Sequence, residues 1–275
     1  MNNTVKRSIS GIVFVAMMLA GLLVNKWLFA VLISFMMVTM MAEFYRMTMG
    51  DKYRFSRILA ILGGETLFVL LFLVCAYDLP IRWVALAMLP LFIVMINSLY
   101  VQDKTEFWKF SHLYTGWIYI SVPLALSNLM VFYDHQFDGR MLLGFFLIIW
   151  GSDIGAFLFG MAFGQKHGKK LFPSISPKKS WIGFWGGLLC AVLAAFLVKC
   201  SGLFEFPTLY CLILGAVMHV AGVYGDLFES QWKRCYELKD SGRIFPGHGG
   251  MLDRFDSTLF AIPAGVIFLL LFNLL

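Results

Sequence analysis

Charged residues are scarce in this sequence. Asp, Glu, Lys and Arg together make up 14% of its 275 residues, whereas hydrophobic residues make up 60%. A soluble domain carries about 25% charged residues and about 45–50% apolar ones. The composition therefore excludes an ordinary soluble globular domain and indicates an integral membrane protein.

Cysteine pairs of the metal-binding or redox type are missing as well. The five cysteines form no Cys-x-x-Cys pair, their number is odd, and four of them lie in or beside apolar runs. Cysteine behaves in such runs as a small hydrophobic residue. The sequence thus predicts neither a disulfide framework nor a zinc site.

Long apolar runs are what the sequence has in abundance, and a helix needs about 20 such residues to span a bilayer. Backbone groups in lipid need partners within their own segment, and no β-barrel alternation is visible, so each run is predicted to be a helix. The predicted fold is an all-α, polytopic membrane protein with about nine transmembrane helices. Their predicted ranges are 8–24, 27–45, 58–77, 83–100, 113–132, 142–163, 181–198, 208–225 and 255–275.

These spans are expected to form a single integral membrane domain over residues 1–275. Residues 1–140 would hold a five-helix N-terminal part. Residues 141–275 would hold a four-helix C-terminal part, and the polar motifs concentrate there.

Basic residues are distributed unevenly between the two predicted sides of the membrane. Of the 22 Lys and Arg residues, 18 fall on the side of the N-terminus and 4 on the other. The positive-inside rule therefore predicts a cytoplasmic N-terminus. We expect a multi-pass protein of the cell inner (plasma) membrane. No stretch interleaves basic and aromatic residues along a soluble face, so no nucleic-acid partner is expected.

Two long loops on the predicted cytoplasmic side, at residues 164–180 and 229–254, are rich in Gly, Pro and Lys. Loops on rigid scaffolds often carry function. The second loop combines carboxylates, the ligands that Mg²⁺ prefers, with glycines and cations suited to phosphate. It predicts metal-phosphate chemistry, with a solvated surface loop as the alternative. At its start one helix face would hold four polar residues, Asp226, Glu229, Ser230 and Lys233.

Asp253 and Asp256 stand three residues apart where the last span begins, so one helix face would hold both. They could also serve only to complement the helix dipole.

In the first loop, Lys178 and Lys179 lie in the run Ser-Pro-Lys-Lys-Ser. These lysines could bind phosphate or anchor the chain to acidic headgroups.

Polar residues also occur inside the apolar runs. Asp153 sits within a predicted span, where a buried carboxylate is by default a functional-site hypothesis. A structural hydrogen bond to a neighbouring helix is its alternative role. Glu43 is close enough to the cytoplasmic edge to reach it, and Glu65 has no neighbouring motif. His219, two turns before Asp226, is interpreted as a helix-packing residue or as one that orients Asp226.

Residues 230–256 resemble the signature of the phosphatidate cytidylyltransferases. That signature reads Ser, two positions, Lys-Arg, four positions, Lys-Asp, a small residue two on, Pro, one position, His-Gly-Gly, and finally Asp-Arg, a hydrophobic residue and Asp. Every fixed position is present, and Trp232 replaces an aliphatic residue.

Weaker matches lie upstream of the signature. Asp153 with the small and aromatic residues after it resembles the family's Asp-x-x-Ala-aromatic-x-x-Gly segment. Residues 176–181 resemble its Ser-Pro-Lys-Lys element, although Ile182 stands where the family commonly has an acid. Glu43-Phe44-Tyr45 is similar to a further family segment. The specific resemblance covers residues 142–256, under half of the chain.

The resemblance implies transfer of the cytidylyl group of CTP to phosphatidic acid, with Mg²⁺, at a site facing the cytoplasm. It implies that Asp226 and Asp253 are metal ligands. The other implied catalytic residues are Asp153, Lys233, His248, Arg254 and Asp256. The implied substrate-binding residues are Ser176, Lys178, Lys179, Ser230, Arg234, Lys239, Asp240, Gly249 and Gly250. A second cation and a homodimer stay open.

Two other functions compete with this interpretation. A CTP-dependent polyprenol or dolichol-type lipid kinase would attack the γ-phosphorus with an alcohol, and this attack requires a general base such as His248 or Asp153. The density of the signature match argues against a kinase. A transporter could use Asp153 and Glu65 along an ion path. Transporters are usually built from internal repeats, and the two halves show no convincing repeat.

Overall fold

A computed structural model of the chain describes residues 3–102, 104–164, 168–242, 244 and 249–275. Over these residues the structure is mainly helical, which confirms the all-α prediction. Seven helical segments are long and apolar enough to cross a membrane, and each falls on a predicted span. They are Lys26–Met49, Arg54–Tyr77, Ile81–Ser98, Arg140–Gly164, Trp181–Cys200, Thr208–Cys235 and Leu252–Leu271.

The chain divides into two compact units. The first comprises residues 1–138 and 238–254, and the second comprises residues 139–237 and 255–275. The boundary after residue 138 lies close to the predicted boundary after residue 140. Residues 238–254, which hold much of the signature, belong to the first unit.

The first unit begins with three long helices, α1 (Asn3–Leu23), α2 (Lys26–Met49) and α3 (Arg54–Tyr77). A 3-10 segment (Ile81–Met88) then leads into α4 (Leu89–Ser98). In α1 the apolar stretch Val13–Leu23 corresponds to the first predicted span, but it is shorter than the other seven.

The predicted span at 113–132 is a chain of short pieces. A 3-10 turn (Lys104–Phe110) is followed by α5 (Ser111–Gly116), a π-helical turn (Trp117–Ser121), α6 (Val122–Leu126) and α7 (Asn128–Val131). The N–H of Val122 bonds to the carbonyl of Trp117, five residues back, and Pro123 follows without an N–H of its own. Proline removes a helical hydrogen bond, and a π-turn widens the helix, so this segment is not one continuous helix.

Close packing around α2 holds the first unit together. Tyr45 is fully buried, and its hydroxyl donates a 2.8 Å hydrogen bond to the carbonyl of Leu113. A Cβ on Gly116 would lie 2.5 Å from the Tyr45 ring, so glycine is what allows α5 to approach α2. After α7, strands β1 (Phe132–Tyr133) and β2 (Gln136–Phe137) pair antiparallel.

The second unit begins with α8 (Arg140–Phe159), which continues as a π-helical turn (Gly160–Gly164). An antiparallel hairpin follows, formed by β3 (Lys170–Phe172) and β4 (Ser176–Ser180). The unit then continues as α9 (Trp181–Cys200) and α10 (Thr208–Cys235), and it ends with most of α11 (Leu252–Leu271).

Small residues set the spacing between α8 and α9. A Cβ on Gly151 would lie 2.9 Å from the Cβ of Ala194, and one on Gly155 would lie 2.5 Å from the Cβ of Cys190. Small residues let helix backbones approach closely in membranes. The small residues on either side of Asp153 therefore allow α8 and α9 to pack closely.

Candidate functional site

Asp226 of α10 lies at the centre of a polar cluster in the second unit. Its Oδ2 is 2.5 Å from the Nζ of Lys179, which lies on β4. The hydroxyl of Ser230, one helical turn further along α10, donates a 3.3 Å hydrogen bond to Oδ1 of Asp226. This geometry joins the Ser-Pro-Lys-Lys-Ser segment to the start of the signature.

The β3–β4 hairpin explains why Lys179 and not Lys178 reaches Asp226. Successive side chains of a strand point to opposite faces. Lys179 is half-buried against Asp226, whereas Lys178 is exposed. The next residue, Ser180, ends the strand and caps α9 by accepting a hydrogen bond from the backbone N–H of Gly183.

Two further carboxylates, from Asp153 and Asp256, interact electrostatically with Asp226. Gly225 allows the approach of α11 to α10, because a Cβ at this position would lie 2.5 Å from the carbonyl oxygen of Asp256. Asp153 has a surface position on α8, and its carboxylate lies within electrostatic range of Asp226 and Lys179. It faces outward from α8, while its neighbours Ser152 and Gly155 pack inside.

Glu229 adds a fourth carboxylate. Its side chain is fully buried and forms an ion pair with Lys233, one turn further along α10. Asp226, Glu229 and Lys233 thus share one helix face as the spacing predicted. Spacing predicted that Glu229 lies on that face, but no role was predicted for it. We refer to Asp153, Lys179, Asp226, Glu229, Lys233 and Asp256 as the acid–lysine cluster.

The acid–lysine cluster suits a cation by its donor type and charge. It holds four carboxylates against two ammonium groups, and carboxylate oxygens are hard ligands of the kind that Mg²⁺ takes. Repulsion among Asp153, Asp226 and Asp256 would be relieved by a bound cation. Within the described ranges, no three Asp, Glu, His or Cys side chains already form a metal-binding group.

Two other predicted substrate-binding residues make contacts within the protein. Arg234 donates a 3.3 Å hydrogen bond from Nε to the carbonyl of Ile175, in the turn of the β3–β4 hairpin. Ser176, at the start of β4, pairs with Phe172. Arg234 therefore holds the hairpin that carries Lys179.

Asp253 belongs to a different group, in the first unit. Its Oδ2 accepts hydrogen bonds from the backbone N–H of Ser241 (2.9 Å), from the Ser241 hydroxyl (2.9 Å) and from the backbone N–H of Gly250 (2.7 Å). Three donors on one oxygen show that Asp253 organises the loop before α11. A role as metal ligand stays a prediction.

Glu43 of α2 binds the same loop, a contact that was not predicted from the sequence. Its carboxylate accepts hydrogen bonds from the backbone N–H groups of Met251 (3.0 Å) and Leu252 (2.9 Å). The Ser241 hydroxyl lies 3.3 Å from its Oε2. The only sequence signal was the weak family resemblance at Glu43-Phe44-Tyr45. We call Glu43, Asp253 and the groups that donate to them the loop anchor.

The remaining predicted residues of this loop contribute less to the described geometry. Lys239, Asp240 and Arg254 have exposed side chains. Gly249 has a positive φ of 85°, a backbone conformation that favours glycine. His248 lies outside the described residues, so its predicted role at the phosphates stays a prediction.

His219 makes a buried contact within the second unit. Its Nδ1 and the hydroxyl of Ser152 share a hydrogen bond of 2.7 Å, which links α10 to α8. The ring also lies 4.9 Å from the ring of Phe184 on α9. These contacts favour the helix-packing interpretation of His219 over the orientation of Asp226.

One ionic group outside the candidate site had no sequence signal. Glu106 accepts hydrogen bonds from Lys109 (2.8 Å), Lys52 (2.7 Å) and the hydroxyl of Tyr53 (2.7 Å). These partners, Lys109 foremost, lower the pKa of Glu106 from 4.5 to about 2. The group ties the connection between α2 and α3 to the 3-10 turn at Lys104–Phe110.

Comparison with known proteins gives relatives over much of the chain. A phosphatidate cytidylyltransferase of Staphylococcus epidermidis is 42% identical over 156 residues, which are 56% of this chain and 59% of that protein. One of Staphylococcus haemolyticus is 40% identical over the same length. One of Staphylococcus aureus (strain COL) is 39% identical over 185 residues, 66% of this chain and 69% of that protein.

The matched part spans less than two thirds of the S. epidermidis relative's length. The sequence profile of the cytidylyltransferase family, in contrast, matches residues 5–272, almost the whole chain. Both units described above lie within this match. The chain therefore belongs to the cytidylyltransferase family.

Proposed function

We propose that this protein transfers CMP from CTP to phosphatidic acid, giving CDP-diacylglycerol and pyrophosphate. The family membership, the names of the staphylococcal relatives and the signature at residues 230–256 all support this activity. The structural observation that carries the proposal is the 2.5 Å contact between Lys179 and Asp226. It gathers a predicted phosphate-binding cation and a predicted metal ligand, from two separate motifs, in one cluster.

The proposed reaction does not require the protein to remove a proton from the nucleophile. Phosphatidic acid is a phosphate monoester, whose second pKa of about 6 leaves it mostly dianionic at neutral pH. One of its oxygens attacks the α-phosphorus of CTP, a new P–O bond forms, and the bond to the bridging oxygen of pyrophosphate breaks. Pyrophosphate leaves with the electron pair. The nucleophile therefore needs no general base, but the many phosphate charges need neutralisation.

The lysines of the acid–lysine cluster are suited to that neutralisation. Lys179 and Lys233 contact the carboxylates of Asp226 and Glu229 in this structure. When CTP binds, these ammonium groups would turn toward its phosphate oxygens, with which they form charge-assisted hydrogen bonds. Arg234 would keep the hairpin, and with it Lys179, in place through its bond to Ile175.

We propose Mg²⁺ as the cofactor, held by Asp226 with Asp153 and Asp256 close to it. When bound, it would neutralise charge on the CTP phosphates and help to align them for in-line attack. Asp253 as a second ligand is the hypothesis from the family resemblance. The excess of carboxylates over lysines in the cluster would also suit a second cation.

The active site is proposed to face the cytoplasm, in the cell inner (plasma) membrane. The loops that carry β3, β4 and the signature belong to the side that collects 18 of the 22 Lys and Arg residues. Basic residues are retained on the cytoplasmic side of membrane proteins. CTP and the lipid headgroup would therefore meet at that face.

Labelled CTP tests the proposed reaction directly. Purified protein is supplied with phosphatidic acid in lipid vesicles, Mg²⁺, and CTP labelled with ³²P at either the α- or the γ-phosphorus. The α-label should enter the lipid phase, and the γ-label should appear in pyrophosphate. Asp226→Asn serves as the control for background labelling.

A lipid kinase would give the reverse distribution of label. Lipid labelled from γ-³²P CTP, with an alcohol acceptor and no phosphatidic acid, would overturn the proposal. Absence of label from the lipid in both cases would exclude cytidylyl transfer and the kinase together.

A further inference from the structure

The carboxylate of Glu43 occupies the start of a helix that is remote in sequence. Its two oxygens accept hydrogen bonds from the backbone N–H groups of Met251 and Leu252, at 3.0 and 2.9 Å. The first N–H groups of a helix have no partner within the helix. Glu43, which is only 8% exposed, supplies that partner for α11 from 208 and 209 residues away.

Two glycines of the loop make room for this carboxylate. A Cβ on Gly242 would lie 2.1 Å from Oε1 of Glu43, and a Cβ on Gly250 would lie 2.5 Å from Oε2. Both oxygens already accept hydrogen bonds from backbone N–H groups. The carboxylate could therefore move away from a new Cβ only by breaking these hydrogen bonds. The sequence pattern predicted that the glycines of this loop let the backbone approach a phosphate. In the structure, these two approach a carboxylate of the protein itself.

Asp253 binds backbone groups of the same loop, which precedes α11. Its Oδ2 accepts from the backbone N–H groups of Ser241 and Gly250, and the Ser241 hydroxyl lies near both Asp253 and Glu43. A third glycine fits this arrangement, since a Cβ on Gly249 would lie 2.7 Å from Oδ2 of Asp253. Two carboxylates thus hold the residues on either side of signature positions 245–248.

We infer that Glu43 is a positioning residue for the proposed cytidylyl transfer. Its carboxylate fixes the N-terminus of α11 and Ser241, and so sets the place of Asp253. The inference rests on the proposed function for the reaction that the loop serves. It extends the functional residues into α2, far outside residues 142–256, where the specific resemblance lies.

Three variants test this role in the purified full-length protein. Glu43→Gln keeps the volume of the side chain but has one acceptor oxygen where two N–H groups need acceptors. Glu43→Asp keeps both oxygens on a shorter side chain. Glu65→Gln is the matched control, because Glu65 is a partly buried acid in α3 of the same unit.

Amide hydrogen exchange measures the hydrogen bonds between Glu43 and the start of α11 without requiring enzymatic turnover. Losing one hydrogen bond of this charged kind should speed exchange of the Met251 and Leu252 amides by about tenfold or more in Glu43→Gln. Glu65→Gln should leave these amides as in the unmodified protein. Equal exchange rates in Glu43→Gln and the unmodified protein would overturn the inference, as would equal acceleration in the Glu65→Gln control.

Steady-state kinetics then separates positioning from general stability. Glu43→Gln should lower kcat for CTP by about tenfold or more, since small misplacements of aligned groups are costly. The KM for CTP should change by less than about threefold, because Lys179 and Lys233 of the acid–lysine cluster are untouched. Glu43→Asp should recover part of kcat. Accelerated exchange with unchanged kcat would contradict a positioning role.

The glycine contact offers a double-mutant cycle. Gly242→Ala alone should lower kcat, because the new Cβ meets the Glu43 carboxylate. Glu43→Ala removes the carboxylate that the new Cβ would meet. Adding Gly242→Ala to Glu43→Ala should therefore lower kcat only slightly further. If the effects of the two substitutions on the activation free energy were fully additive, residues 43 and 242 would not interact, which would contradict the proposed contact.

The two proposals fail in different ways. If the unmodified protein does not turn over CTP and phosphatidic acid, the proposed function falls, and the positioning role falls with it. The exchange measurement would still decide whether Glu43 holds α11. If turnover is normal and Glu43→Gln matches the unmodified protein in both measurements, only the inference on Glu43 is lost.

Discussion

Lys179 of the β3–β4 hairpin lies 2.5 Å from Asp226 of α10. The two residues come from segments that are separate in sequence, a Ser-Pro-Lys-Lys-Ser run and the helical turn just before the cytidylyltransferase signature of residues 230–256. An ion pair with both partners partly exposed contributes little to stability. We therefore propose that the pair serves function, as a place where a cation and a carboxylate from two segments meet.

Asp226 is expected to be essential for turnover but not for folding. Asp226→Asn keeps the shape of the side chain and its bond to Ser230, and removes the charge that pairs with Lys179. We expect kcat to fall by about 10³-fold or more, the scale of losing preorganised charge stabilisation. CTP turnover and size-exclusion profiles measure the two effects.

Glu205→Gln provides the control for this substitution. Glu205 is an exposed acid just before α10, at the end remote from Asp226. Its loss should leave turnover unchanged. Near-normal activity of Asp226→Asn at low Mg²⁺ would show that Asp226 is not a ligand.

Lys178 and Lys179 are expected to differ although they are neighbours. Strand geometry places Lys179 against Asp226 and leaves Lys178 exposed. Lys179→Gln should therefore lower kcat/KM for CTP at least about tenfold more than Lys178→Gln, by loss of a charge-assisted contact to phosphate. Equal effects would mean that the hairpin does not direct the two side chains differently. Equal insertion of both variants into membranes excludes an anchoring defect.

Glu106 should make the stability of the folded protein depend on pH in the acid range. Its pKa is lowered to about 2 by Lys109, Lys52 and Tyr53. A carboxylate with a lowered pKa stabilises the folded state above its usual pKa of 4.5, and this stabilisation is lost as the pH falls toward 2. Thermal unfolding of the unmodified protein and Glu106→Gln should differ most at pH 6. Their Tm values should converge as the pH falls below 4.5, modestly because the group is near solvent.

The predicted topology places the N-terminus inside and the C-terminus outside. Cysteines introduced at Lys52 and Asp138 should then be labelled from opposite sides of the membrane, because one loop lies on each side. Labelling at Lys239 should require access to the cytoplasm. Labelling of that position from outside intact cells would contradict the cytoplasmic location of the site.

The sequence by itself determined the membrane class, the helical fold and seven spans that the structure confirms. Long apolar runs leave the backbone no alternative to helices in lipid, so composition and length suffice for this conclusion. It did not reveal that residues 113–131 break into short helical pieces. There, Pro123 and a π-turn change the hydrogen-bond pattern, and such local changes do not alter hydropathy.

The polar face of α10 was also predictable from spacing, because Asp226, Glu229 and Lys233 share one face of any α-helix. The tertiary structure alone decided the partners of Glu43. A carboxylate on α2 and two N–H groups at the start of α11 meet only when the chain has folded. Hydrogen bonds between residues more than 200 positions apart leave no periodic trace in a sequence, whereas helical faces do.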